Sequence, residues 1–293
     1  MSRDIDPIDL EVLRSRLETI GEQACRAVEQ TAISPTVTES KDYSVTLLDA
    51  NGDGIIGSGP VTVHYGAAGH SARSIIARYG DEIRPGDLFM ANDPHNGGGL
   101  HPQDVMVSTP IHVSDGAHPP RLVAWVGVSA HMMDMGGMEI GSFCPDATEC
   151  YQECFRMPPV RLFREGEEVS DVWDLIRTNI RMAQLVEMDL RGLIAGGYFM
   201  ADRLREIVRQ TGIELFTASL AALRDLSERE LRRRIAQIAD GTYRSVTWAE
   251  HHRTFFKIPC TLTVAGDSLT FDFTGTSPQT PHFVNSKPSI VES

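Results

Sequence analysis

A chain of 293 residues, 41% of them hydrophobic, has enough apolar surface to bury a sizeable core, and its formal charge of −13 repels phosphate backbones and anionic bilayers over most of its surface. Nucleic acid and membrane are therefore poor partners. The opening stretch MSRDIDPIDLEVLRSRLETI carries acids where a secretory leader needs a basic start, and no later segment reaches the ~18 apolar residues of a membrane span, so a cytoplasmic protein is expected.

Residues 7–30 place Ile8, Val12, Leu13, Leu17, Ile20, Ala24 and Val28 at helical spacing behind Pro7, which predicts a long amphipathic helix. From Asp42 to about Pro110 the pattern changes to β-rich runs, YSVTLLD, PVTVHY and DVMVSTPIHV, broken by Gly, Asn, Asp and Pro. RLVAWVGVSAH at 121–131 predicts one more, largely apolar strand. Helical periodicity returns over 171–239 in several pieces, with Gly196-Gly197 and Gly212 expected at the joints and SERELRRRIAQIAD expected as a solvent-facing helix. After Asp240-Gly241, the runs YRSVTWAEHH, KIPCTLTVAG and SLTFDFTG predict a small antiparallel sheet. This order is that of an α+β fold: a long N-terminal helix, a mixed strand region, a central helical region and a small terminal sheet. One domain over 1–293 is expected, and the tail after SPQ, which lacks a closing element, reads as a truncated C-terminus.

Several short motifs fail on context. Gly52-Asp53-Gly54-Ile55-Ile56-Gly57 has the spacing of a dinucleotide fingerprint, but extended sequence follows where a helix must open, so a hairpin turn is expected. The same stretch begins like a calcium loop whose twelfth position is Pro60 instead of a glutamate. There is no phosphate-cradling loop. Five cysteines without a Cys-x-x-Cys pair read as reduced thiols, Cys144, Cys150 and Cys154 included.

Two His-x-x-Asp pairs stand out. His101 and Asp104 close the stretch ANDPHNGGGLHPQD, and His131 and Asp134 lie where the apolar strand meets Gly136-Gly137. Each pair sits at a strand terminus beside glycines, offering imidazole nitrogen and carboxylate oxygen, a donor set suited to Zn, Mn or Fe. Asp42, before the first strand, is placed to reach the same point. The plainer alternative is that these residues satisfy turns and caps. His64, His70, His112, His118, His251, His252 and His282 have no comparable company and read as surface or packing residues. Met132, Met133, Met135 and Met138 read as pocket walls.

At these residues the sequence resembles the hydantoinase B/5-oxoprolinase family, which includes large subunits of acetone and acetophenone carboxylases. The resemblance runs through Asp42-Tyr43-Ser44, NDP at 92–94, the His-x-x-Asp of 101–104, AHMMDMGG at 130–137, MPPVRL at 157–162, NIR at 179–181 and FDFTGTSPQ at 271–279. It implies a divalent metal held by Asp42, His101, Asp104 and His131. It also implies a hydantoinase A-type partner that binds ATP and phosphorylates a lactam, imide or enol oxygen. On that reading the present chain completes ring hydrolysis of a cyclic amide, Asp134 orients a ligand histidine or acts as general base, and His95 contacts substrate or phosphate. The alternatives are a ketone carboxylase subunit and an inactive assembly module. A separate C-terminal half is expected because family members usually continue past the SPQ segment.

Overall fold

Asp6 starts the first helix: its carboxylate accepts the Ile8 amide at 2.7 Å, and Pro7 occupies the first turn, where no N–H is needed. The computed structural model describes residues 5–291; the terminal residues 1–4 and 292–293, on which the readings of leader and ending partly rest, lie outside the described residues. In chain order the elements are α1 (Pro7–Thr31), the single turn α2 (Pro35–Thr38), β1 (Tyr43–Asp49), β2 (Gly54–Ser58) and α3 (His64–Tyr79). They continue with β3 (Leu88–Ala91), β4 (Asp104–Val113), β5 (Arg121–His131), α4 (Cys150–Glu153), β6 (Val160–Arg164) and β7 (Glu167–Glu168). Three helices follow, α5 (Ser170–Asn179), α6 (Ala183–Thr211) and α7 (Ile213–Ile235), then β8 (Gly241–His251), β9 (Thr254–Ala265), β10 (Ser268–Asp272) and α8 (Pro288–Val291). The α+β order predicted from sequence is the order observed.

Strands β2-β1-β5-β4-β3-β6-β7 form one antiparallel sheet. Its strands alternate between two cores. Val45, Leu47, Val105, Val107, Val126 and Val128 pack with α1 and α6, whereas Leu48, Met106 and Trp125 pack with Ala68, Ala72 and Ile75 of α3. Covered on both faces, β4 and β5 are buried almost throughout, which is why their sequences read as apolar runs. The second sheet, β10-β9-β8, is a meander with mostly exposed residues. No helix among the described residues is long and apolar enough to cross a membrane.

Three local expectations change. PVTVHY is not a strand: the chain turns after Ser58, and His64 opens the 16-residue α3. Gly66 and Gly69 disguise that helix, whose buried stripe is small (Ala67, Ala68, Ala72) and stabilised by packing more than by propensity. Gly196-Gly197 is not a joint either. Both lie inside α6, where a Cβ at Gly196 would come 2.4 Å from Val28 Cγ2, so glycine there lets α1 and α6 approach closely. Gly212, with φ of 85°, does separate α6 from α7. Finally, Met132 and Met135 belong to the main core and Met138 is exposed, so they do not together wall a pocket.

Candidate metal centre

Strand register brings the site together. Asp104 of β4 pairs directly with His131 of β5, and the His131 amide donates to the Asp42 carbonyl at 3.0 Å, one step beyond the Tyr43–Ala130 pair. The three residues thus lie in a row across three adjacent strands. Their parity is that of Met106 and Leu48, so they share the face covered by α3, whose first residue, His64, reaches the same point. His101 arrives from the loop before β4.

Asp104 is 1% exposed and stands at the centre of this group. Its Oδ1 lies 3.2 Å from His131 Nδ1 and 3.4 Å from His101 Nε2. These distances are long for charge-assisted hydrogen bonds, yet donors ~2.0–2.2 Å from a tetrahedral Zn2+ stand about 3.3–3.5 Å from one another. The donor atoms of His101, Asp104 and His131 all lie within 4.8 Å of each other. The other oxygen, Oδ2, accepts the Leu100 amide at 3.2 Å and faces His64 Nε2 at 3.6 Å, which leaves Oδ1 turned to the two imidazoles.

Burial alone would raise the Asp104 carboxyl, but His131 and His64, and then the charge of His101, hold it well below the usual carboxylate range. Burial draws His131 down, while Asp104 and then Asp42 draw it up more strongly, so its imidazole titrates above its ordinary value. On the same sheet face, the hydroxyls of Ser44 and Ser129, one pair of residues along the strands from Asp42 and His131, and the Nδ1 of His64 are buried with no hydrogen-bond partner among the described residues. Such orphaned polar atoms are what a site for a polar guest leaves behind.

The loop residues have separate tasks. Asn92 is fully buried: its amide donates to the carbonyls of Pro102 (2.7 Å) and Phe155 (2.8 Å), and its oxygen accepts the Met157 amide (2.6 Å), which ties both ends of the loop down. Asp93 accepts the His95 amide at 3.0 Å and the Asn96 side chain at 2.9 Å. At Gly99 a Cβ would come 2.3 Å from Asp104 Cβ. Gly99→Ala must therefore displace the loop or the carboxylate, and about a tenfold loss of Zn2+ affinity is expected in calorimetric titration. Unchanged affinity would show that the close approach does not set the site.

Sequence reading missed four residues. Gln103 Nε2 donates to the Ser142 carbonyl, which fixes the amide so that Oε1 faces His101 Nδ1. A neutral His101 with its proton on Nδ1 would present the Nε2 lone pair toward Asp104. His64, expected as a surface or packing residue, is 1% exposed against Asp104; its role was hidden because the helix it opens was not recognised. Glu153 is half-buried within electrostatic reach of His101 and His95; burial pushes its carboxyl up against Arg156 and those imidazoles. Lys287 donates to the carbonyls of Pro94 (2.5 Å) and Gly99 (2.7 Å), bracing the glycine loop from the far end of the chain. Burial lowers its ammonium to about 8, against the attraction of Asp104 and Asp93.

The remaining expected residues are placed as follows. Asp42 is half-buried beside His131, outside the tight three-donor group, and its charge acts on that imidazole. His95 is exposed on the same loop. Asp134, expected to orient a ligand histidine or act as general base, has oxygens that accept the amides of Gly136 (2.8 Å) and Gly141 (2.9 Å) and the Arg181 guanidinium (3.0 Å), so it organises the loop after β5; no hydrogen bond joins it to a histidine among the described residues.

Comparison with known proteins bears on the family and the fold. The Hydantoinase B/oxoprolinase family model matches residues 6–293. The beta subunit of caprolactamase from Pseudomonas jessenii is 29% identical over 96% of this chain and 48% of its own length. The delta subunit of acetophenone carboxylase from Aromatoleum aromaticum is 28% identical over 85% of this chain and 36% of its own. The crystal structure of the ATP-dependent caprolactamase from Pseudomonas jessenii superposes with a TM-score of 0.90 over 99% of this chain and 49% of that one. The chain thus spans about half the length of the caprolactamase chain it matches.

Proposed function

Because the chain belongs to the hydantoinase B/oxoprolinase family, we propose that it is the metal-binding part of a subunit that completes the ATP-dependent opening of a cyclic amide. The observation that carries this reading is the His101–Asp104–His131 group, whose donor atoms lie within 4.8 Å of one another at separations that ligands of one divalent ion can take. Zn, Mn or Fe suits the mixture of imidazole and carboxylate. His101, Asp104 and His131 would hold the ion, with Asp42 closing the set. The ion supplies Lewis acidity and lowers the pKa of water beside the substrate.

The chain's own residues do the rest. Gln103 fixes the His101 tautomer, Leu100 and His64 turn Asp104, and Lys287 braces the loop that carries His101. His95, exposed on the same loop, would contact the substrate. An amide resists attack because its oxygen draws electron density from nitrogen. Phosphorylation of that oxygen by an ATP-binding, hydantoinase A-type partner stops it from drawing on nitrogen and makes the carbon electrophilic: water adds there, the ring C–N bond breaks as the nitrogen takes a proton, and a second water hydrolyses the acyl phosphate to the open-chain acid and phosphate. This division of labour accounts for a chain with no phosphate loop of its own.

Support for a lactam comes from caprolactamase, described as ATP-dependent. The likeness to an acetophenone carboxylase subunit supports a second reading, carboxylation of a ketone enol. The test is to reconstitute the full subunit with its ATP-binding partner and supply caprolactam, 5-oxoproline or a hydantoin. ATP-dependent release of the ring-opened acid, abolished by His101→Ala and indifferent to bicarbonate, is expected. Turnover that requires bicarbonate and a ketone would replace the hydrolase reading with the carboxylase one.

A further inference from the structure

The tip of the small sheet carries a second group of donors, distant in sequence from the first. β8 and β9 are joined by His252-Arg253, both with positive φ (48° and 63°), where Asn-Gly is the usual choice and an L side chain is strained. His252 Nε2 lies 2.5 Å from Asp146 Oδ1, on the loop that follows β5. His251, the last residue of β8, is only 9% exposed, with ring centroids 4.1 Å from His252 and 4.6 Å from His282. Donor atoms of Asp146, His251 and His252 all fall within 4.8 Å of one another.

The plain reading is a packing cluster, since Phe283 stacks edge-on against His251 and the His252–Asp146 pair is a good surface hydrogen bond. That reading leaves His251 Nε2 and His282 Nδ1 buried without a hydrogen-bond partner among the described residues, a desolvation cost that phenylalanines in their place would avoid.

We propose that His251, His252 and Asp146, with His282 beside them, bind a borderline divalent cation, Zn2+ above all, which replaces the direct His252–Asp146 contact and fastens the hairpin tip to the 141–146 loop. Imidazole nitrogens with one carboxylate oxygen form an ordinary tetrahedral zinc donor set. The site also has a structural neighbour of consequence. The same loop presents the Ser142 carbonyl to Gln103, which holds His101, so a cation on Asp146 steadies the loop that supports the first centre.

The experiment titrates the chelator-stripped full chain with Zn2+ and compares it with Asp146→Asn/His252→Asn and His101→Ala. Asn suits a positive φ, so the double variant keeps its hairpin while losing two donors. The parent is expected to bind two equivalents. The double variant should lose one, with affinity at that site down by at least about tenfold, and keep the one that His101→Ala removes. Zn2+ should also slow tryptic cleavage after Arg253 in the parent and in His101→Ala, but not in the double variant. Equal stoichiometry and equal Zn2+ protection at Arg253 in parent and double variant would overturn the proposal and leave the first centre untouched.

Discussion

Asp104→Asn is expected to reduce divalent-metal affinity by at least about 100-fold while the chain stays folded. Removing an outer partner of a metal ligand typically costs 10–100-fold, and Asp104 supplies both a donor and the buried negative charge among three imidazoles. Asparagine keeps the shape and the bond from the Leu100 amide. Calorimetric titration with Zn2+, beside a thermal melt in chelator, checks this. Retention of parental affinity would mean that the group is a hydrogen-bonded His–Asp network and not a metal centre.

The second large effect is on stability. Asp134→Ala deletes a fully buried carboxylate that accepts two backbone amides and the Arg181 guanidinium, leaving the Gly136 and Gly141 N–H groups without an acceptor. A loss of about 3 kcal/mol is expected, at the lower end for a broken buried pair because Arg181 is 39% exposed and can turn to water. The pH dependence has a definite sign. Burial alone would raise the Asp134 carboxyl, but the Gly136 and Gly141 amides and Arg181 hold it below its ordinary value. A depressed folded-state pKa stabilises the chain above the unfolded value of ~3.9, and this stabilisation is lost as pH falls through the folded-state value. Urea denaturation should therefore show the deficit in full at neutral pH and a shrinking difference from the parent under acid conditions below about pH 4. A pH-independent difference would assign the effect to the cavity alone.

These two aspartates show how far sequence carries. The strands YSVTLLD, DVMVSTPIHV and RLVAWVGVSAH are legible because two-sided burial writes them as apolar runs, and their observed limits coincide with the runs. His101, Asp104 and His131 are legible because each stands at the end of such a run beside glycines. What is missing locally is register. Nothing in the sequence says that Asp104 lies opposite His131 or that Asp42 lies one strand further on, so the two His-x-x-Asp pairs look equivalent. The fold makes them unequal: β4 turns Asp104 into the group, whereas the chain leaves β5 after His131 and carries Asp134 to Arg181.

Helix α3 was hidden for a related reason. Its small residues and glycines serve close packing on the sheet, where a Cβ added at Gly127 of β5 would come 2.8 Å from Ala68 Cβ. With the helix went His64, whose significance is its position at the helix start over Asp104. Gln103, between two recognised residues, had no pattern to mark it. Its role arises from a carbonyl at Ser142, far along the chain.

On the reading proposed above, His101, Asp104 and His131 share a divalent ion. Crystals of the chain grown after supply of Zn2+ or Mn2+ and measured at the absorption edge of that metal test it most directly. An anomalous peak lying between His101 Nε2, His131 Nδ1 and Asp104 Oδ1, with Asp42 turned toward it, is the predicted result. Well-ordered, metal-supplied crystals with no peak at that position, whatever they show at the hairpin tip, would contradict it.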